Sequence, residues 1–204
     1  MRSIESPPLP ITRNPIPKSS CIAPGVDDIT RVRRKDRLQA DPEAIRDVIR
    51  RSTVCRLAMC DGDQPYVIPI CFGYEDGVLY LHCAPEGRKI EILKRNPKVC
   101  VEFDIDSVVA PAAEAHKFTM RYRSVIAFGI ASFVTDTVAK RHALDILMAQ
   151  YAEGKFAYRA SQVTKTCIIR VDITEITGKE SGWGENKVQG RNRPEASGES
   201  YVDD

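Results

Sequence analysis

The stretch Leu79-Tyr80-Leu81-His82-Cys83-Ala84-Pro85-Glu86-Gly87-Arg88-Lys89-Ile90-Glu91-Ile92-Leu93 decides how the chain is read. It is a strand that ends in a Pro/Gly turn and opens a basic helix. Arg88 and Lys89 fall in the first helical turn, where free backbone N–H groups and the helix dipole favour an anion. The stretch alone leaves two readings open: a phosphate cradle, or an ordinary strand-to-helix connection with two solvated charges. Strand alternation puts Val78, Tyr80 and His82 on one face and Leu79, Leu81 and Cys83 on the other. His82 and Cys83 therefore point apart, which disfavours a nucleophile–base pair.

Upstream, Asp76-Gly77 is a hairpin signal between apolar strands. Residues 65–71 read as a strand, and Asp61-Gly62-Asp63 turns it back on another strand over residues 53–60. Short turns between the three strands predict an antiparallel meander. Ahead of them Asp41 is a good N-cap, Pro42 fits the first helical position, and Ala44, Ile45, Val48 and Ile49 make one apolar face. That helix should stop near Ser52.

Downstream, the basic helix runs from about Gly87 to Arg95 and ends at Asn96-Pro97. Residues 98–104 read as a strand and 105–117 as an irregular Ala-rich connection. Residues 118–134 read as one long bent strand or two short ones, with Gly129 at the bend. Thr135 or Asp136 caps a third helix to about residue 152, with Val138, Leu144, Leu147, Met148 and Tyr151 as its apolar stripe. Residues 166–176 are the last strand. Six strands and three helices predict a mainly β fold, a small antiparallel barrel decorated by helices. No P-loop or GxGxxG accompanies the phosphate candidate.

The 204 residues suffice for one core-forming domain with tails. The proline-rich segment 1–32 predicts a flexible arm, residues 33–184 the domain, and 185–204 a mobile polar tail. A net charge of +2 implies no strong attraction to polyanions, hence no nucleic-acid partner. No apolar run reaches membrane-spanning length and no signal peptide is evident. Seven cysteines, an odd number without a CxxC, predict reduced thiols and a cytoplasmic protein. His82, His116 and His142 lack metal-ligand spacing, so no metal is expected. Arg56 shares a strand face with Ala58 and could pair with a phosphate or a surface carboxylate.

Several segments in order resemble the FMN-binding split-barrel flavoproteins related to pyridoxamine 5′-phosphate oxidase, and within them the nitroimidazole-resistance (Nim) branch. They are Arg33-Arg34-Lys35-Asp36, Cys55-Arg56-Leu57-Ala58, Pro65-Tyr66-Val67-Ile68-Pro69 with Phe72-Gly73-Tyr74, Leu79-Tyr80-Leu81-His82 through Gly87-Arg88-Lys89-Ile90, and Arg123-Ser124-Val125-Ile126-Ala127-Phe128-Gly129. The resemblance implies a six-stranded antiparallel split β-barrel that dimerises and holds FMN between subunits. It implies that Gly87, Arg88 and Lys89 meet the FMN phosphate, with Gly87 standing where the oxidases often have Ser. It further implies that Val67, Ile68, Pro69 and Ile70 lie along the isoalloxazine ring, with His82 and Ser124 beside it. Trp183 could cover the flavin from the partner subunit or simply pack. The Arg-x-His of true vitamin-B6 oxidases is not evident.

The expected function is an FMN-dependent oxidoreductase that takes electrons from NAD(P)H and reduces a small acceptor such as a nitroaromatic, with His82 as candidate proton donor. The alternatives are a non-catalytic FMN or small-ligand binding dimer, or a split barrel using haem or the deazaflavin F420.

Overall fold

Asp41 starts the first helix as its residue type predicts. Its carboxylate accepts from the Glu43 N–H at 3.0 Å, Pro42 follows, and α1 (Pro42–Arg51) closes at Ser52. Ile45, Val48 and Ile49 are its buried face. The structure, a computed structural model, describes residues 34–183. The expected arm over 1–32 and tail over 185–204 lie outside the described residues.

Around α1 the chain forms β1 (Leu38–Gln39), β2 (Cys55–Asp61), β3 (Gln64–Ile70), β4 (Phe72–Glu75) and β5 (Val78–Cys83). After α2 (Arg88–Arg95) come β6 (Lys98–Ala110), β7 (Thr119–Val134), α3 (Thr137–Ala149), α4 (Ala160–Lys165) and β8 (Cys167–Ser181). The strands lie in the order β3-β2-β6-β7-β8-β5-β4, all neighbours antiparallel, with β1 added on β8. This is the expected split-barrel class, with eight strands and four α-helices among the described residues rather than six and three. The extra strands are the short β1 and β4. The extra helix, α4, is six residues with only Val163 buried, too short for a visible apolar period.

Three expectations are corrected. The three-strand meander is two separate hairpins: β2–β3 and β4–β5 stand at opposite ends of the sheet, and β5 pairs with β8. Strand β6 continues to Ala110 through a register shift between Ile105 and Val108, over residues read as irregular. Of the α3 stripe, Leu147 is buried, but Val138 is 75% exposed and Ala143 takes its place in the core. The bend at Gly129 is as expected: β7 is one strand, and its register against β8 shifts between Phe128 and Gly129.

The core is made by the inward parity of the strands. Leu57, Leu79, Leu81, Val101, Ile169 and Val171 are fully buried in one cluster with the apolar residues of α1 and α2, and Phe72 meets Phe103 edge-on at 5.0 Å between ring centroids. A second, smaller cluster holds α3 on the opposite face of β5 through Tyr80, Ala143, Leu147 and Ile168. Gly73 permits that packing, since a Cβ there would lie 2.7 Å from the Ile146 backbone.

Candidate functional site

The turn after β5 is built as the sequence implies. Gly87 is the N-cap of α2 and adopts φ 115° and ψ 170°, a conformation open essentially only to glycine. It has no side chain with which to cap the helix. Its carbonyl accepts the N–H groups of Ile90 (2.9 Å) and Glu91 (3.2 Å). The Arg88 and Lys89 N–H groups of the first turn therefore have no side-chain cap, whereas the Ile90 N–H is held by the Gly87 carbonyl. Ile90, Ile92 and Leu93 bury the other side of α2.

Arg88 reaches the β2–β3 hairpin. Its guanidinium carbon lies 4.7 Å from the centroid of the Tyr66 ring, and its Nε is 3.7 Å from Asp61 Oδ2. Asp61 also accepts from Arg95 at 2.6 Å. Asp61 and Tyr66 thus tether the cationic helix to the edge hairpin. The sequence marks neither as a site residue: Tyr66 stands inside a strand motif and Asp61 in a turn, and only the pairing of β2 with β3 sets them beside α2.

β3 is an edge strand, and the Gly62-Asp63 turn (Gly62 φ 66°) makes Asp61 and Gln64 the first rung of its ladder with β2. Tyr66, Ile68 and Ile70 follow as rungs bonded to β2. The intervening positions are Pro65, Val67 and Pro69. Two of them lack an N–H, so Val67 is the position between the prolines that presents both an N–H and a C=O to the open edge. Its side chain is 61% exposed, while Ile68 and Ile70 pack on the core. The four predicted residues Val67, Ile68, Pro69 and Ile70 therefore divide between two faces of one edge strand.

His82 is exposed on the face of β5 that carries Tyr80, and Cys83 turns to the core face, as alternation predicts. Arg56 settles the choice left open for it: on the outer face of β2 it is paired with Glu102 at 3.4 Å and with Asp104. Burial, then the Asp104 charge, push the Glu102 carboxyl upward against the pull of Arg56.

Ser124 and Trp183 are not part of this cluster within one chain. His82 pairs with Ile168 of β8 and Ser124 with Lys179, a stretch of roughly 35 Å along the strand at about 3.3 Å per residue. Trp183 is half-buried, 5.0 Å from the Arg123 guanidinium and 5.8 Å from that of Arg121, and its Nε1 is buried without a hydrogen-bond partner among the described residues. Arg121 and Arg123 alternate with Ser124 along β7, so Trp183 packs on the face opposite Ser124. Among the described residues no cluster of three metal-ligating side chains occurs, and no helix is long and apolar enough to cross a membrane.

An antiparallel split barrel with an uncapped cationic helix beside an open strand edge defines the class. The chain belongs to the pyridoxamine 5′-phosphate oxidase family, whose model matches residues 41–180, more than half of the sequence. A candidate 5-nitroimidazole antibiotic resistance protein from Bacteroides thetaiotaomicron, of known structure, is 36% identical, with a TM-score of 0.64 over 70% of this chain and 85% of that one. A FAD- and haem-binding protein from Mycobacterium smegmatis shares the fold at 21% identity, with a TM-score of 0.66 over 72% and 74% of the two chains. An uncharacterised Rhizobium meliloti protein is 37% identical over 60 residues, 29% of this chain, and the match spans only 39% of that relative's length.

Proposed function

We propose that the protein is an FMN-dependent oxidoreductase that reduces a small acceptor, such as a nitroaromatic, with electrons from NAD(P)H. The observation that carries this reading is the uncapped N-terminus of α2, with Arg88 and Lys89 in its first turn, tethered through Tyr66 to the open edge of β3. The 36% identity to the candidate nitroimidazole-resistance protein supports the acceptor class.

The residues present suit a phosphate-bearing flavin. Backbone N–H groups after Gly87 and the Arg88 fork would hold the phosphate, with Lys89 as a point charge. The N–H and C=O of Val67, flanked by Ile68, Pro69 and Ile70, offer a donor and an acceptor to the polar rim of a flavin ring. When bound, FMN supplies the redox chemistry itself. His82, exposed on the strand that leads into the phosphate turn, orients the acceptor and gives it a proton. Two copies of the chain complete the site: Ser124, a strand-length from His82 in its own chain, reaches the flavin only from a partner, while Trp183 packs on the arginines of the opposite face. The protein works in the cytoplasm with its thiols reduced.

The test is an absorbance spectrum of the protein loaded with FMN and freed of excess flavin. Flavin bands that bleach anaerobically on adding NADH or NADPH, and recover on adding a nitroimidazole, are the expected outcome. Bound flavin that no nicotinamide reduces would replace the reductase with a binding protein. A protein that retains no flavin would remove the cofactor assignment.

A further inference from the structure

Cys83 ends β5 and Cys167 begins β8, and the two are direct partners in the last rung between those strands. Facing residues of an antiparallel pair have Cα atoms about 4.5–5.5 Å apart, inside the span of about 4.4–6.8 Å that a disulfide bridges. Both side chains emerge on the core face, half-buried, and both are free thiols. No rung between β5 and β8 lies beyond them, so the strand ends can draw together by the last fraction of an ångström that a bond needs. Cys167 also lines an open cleft of about 340 Å³ between Pro85, Ile90 and Lys94 on one side and Phe133, Lys140 and Thr166 on the other. A small reagent therefore has a path to the sulfur.

We propose that Cys83 and Cys167 form a dithiol site that hydrogen peroxide closes to an intramolecular disulfide. The Cys167 sulfur, reached from the cleft, attacks the peroxide O–O bond; it becomes a sulfenic acid and one water leaves. Cys83 then displaces the sulfenic hydroxyl as a second water. Two thiols are oxidised, one peroxide is reduced, and no other reagent is consumed. Burial and the neighbouring Cys167 sulfur push the Cys83 thiol up to about 11, and the Lys89 ammonium pulls the other way. The displacement by Cys83 is therefore slow at neutral pH and accelerates as the pH rises. The bond would pin β5 to β8 just ahead of the turn that carries Arg88 and Lys89. It is independent of whether a flavin binds there.

The experiment treats the reduced full-length chain with hydrogen peroxide at about pH 7 and about pH 9, blocks remaining thiols with an alkylating agent, and maps the digest by mass spectrometry. The expected product is one peptide pair joining Cys83 to Cys167, two hydrogens lighter than the reduced pair. It should form several-fold faster at the higher pH, disappear with dithiothreitol, and be absent from the Cys83→Ser and Cys167→Ser variants. The wild-type map decides even if a variant folds poorly. If Cys83 and Cys167 are each recovered alkylated, or singly oxidised, after the exposed Cys60 and Cys71 have reacted, the proposal is wrong.

Discussion

Asp106 joins three elements. It accepts from Arg51 of α1 at 2.7 Å and from Arg123 of β7 at 2.6 Å, and Arg123 also donates to Glu180 of β8 at 3.0 Å. Burial pushes the Asp106 carboxyl up, but the hydrogen bonds from Arg123 and Arg51 outweigh it and hold it below the usual carboxylate range. A depressed folded value means that this stabilisation is fully present above the unfolded value of about 3.9 and is lost as pH falls through the folded value. Asp106→Asn keeps a residue tolerant of the φ of 56° found there but removes the charge. It should cost about 1–2 kcal/mol at neutral pH. Urea unfolding at several pH values should then show a shallower loss of stability below about pH 4 than in the wild type. An unchanged acid limb would mean the arginines are satisfied elsewhere. At the candidate site, Arg88→Glu sets an anion against the phosphate. Charge-assisted hydrogen bonds contribute roughly 1.5–3 kcal/mol, so FMN affinity measured by calorimetry should fall at least about tenfold. Equal affinity would take Arg88 out of the site. His82→Ala should leave FMN retention near the wild-type level while slowing nitroimidazole turnover by about 10²-fold or more. The reverse ranking would make His82 a cofactor anchor.

The helix α2 shows why one glycine matters at the level of an element. At Gly87 the φ of 115° would strain a Ser, and a hydroxyl cap there would compete for the first-turn donors. Gly87→Ala should destabilise the fold by about 1–3 kcal/mol and weaken FMN binding by reorienting the Arg88 and Lys89 N–H groups, read from a thermal melt with and without FMN. A melt and affinity equal to the wild type would show that the turn can relax. Elements were legible in the sequence where local chemistry decides them. Asp41-Pro42 starts α1, Asp76-Gly77 closes a hairpin, and Asn96-Pro97 ends α2. They were not legible where partners are distant. Phe72–Glu75 is a strand because β5 pairs with it, and it diverges from β3 after Cys71, although nothing in the intervening residues marks a change of partner. The extension of β6 to Ala110 is imposed by β7 in the same way. Within the candidate site, the Gly87-Arg88-Lys89 turn was visible because it is contiguous. The Tyr66 and Asp61 tether needed the fold to bring a hairpin under a helix.

For the whole molecule, the outer face of the sheet bears on the oligomeric state. Along one rung Val67 of β3, Ala58 of β2, Cys100 of β6 and Phe128 of β7 stand side by side, and Ile126 and Ile130 flank Phe128 on β7. Val67 is 61% and Ile130 42% exposed, so apolar surface runs across four strands facing solvent in the single chain. The Arg56 pairs with Glu102 and Asp104 border it on one side. An apolar centre with a charged margin is the composition of a dimer interface. The same face carries Ser124, which cannot meet His82 within its own chain. In the proposed dimer, a two-fold axis through this face would bury the apolar surface and bring each copy's β7 toward its partner's β3. Phe128→Glu puts a charge in the middle of that surface without touching the buried core. Light scattering should find the wild type dimeric and Phe128→Glu monomeric at micromolar concentration, and the monomer should release FMN while keeping its far-ultraviolet circular dichroism. A Phe128→Glu protein that remains a flavin-loaded dimer would move the interface to another face. A wild-type monomer that holds FMN as tightly as the reading requires would show that one chain suffices, and Ser124 would then be a structural residue only.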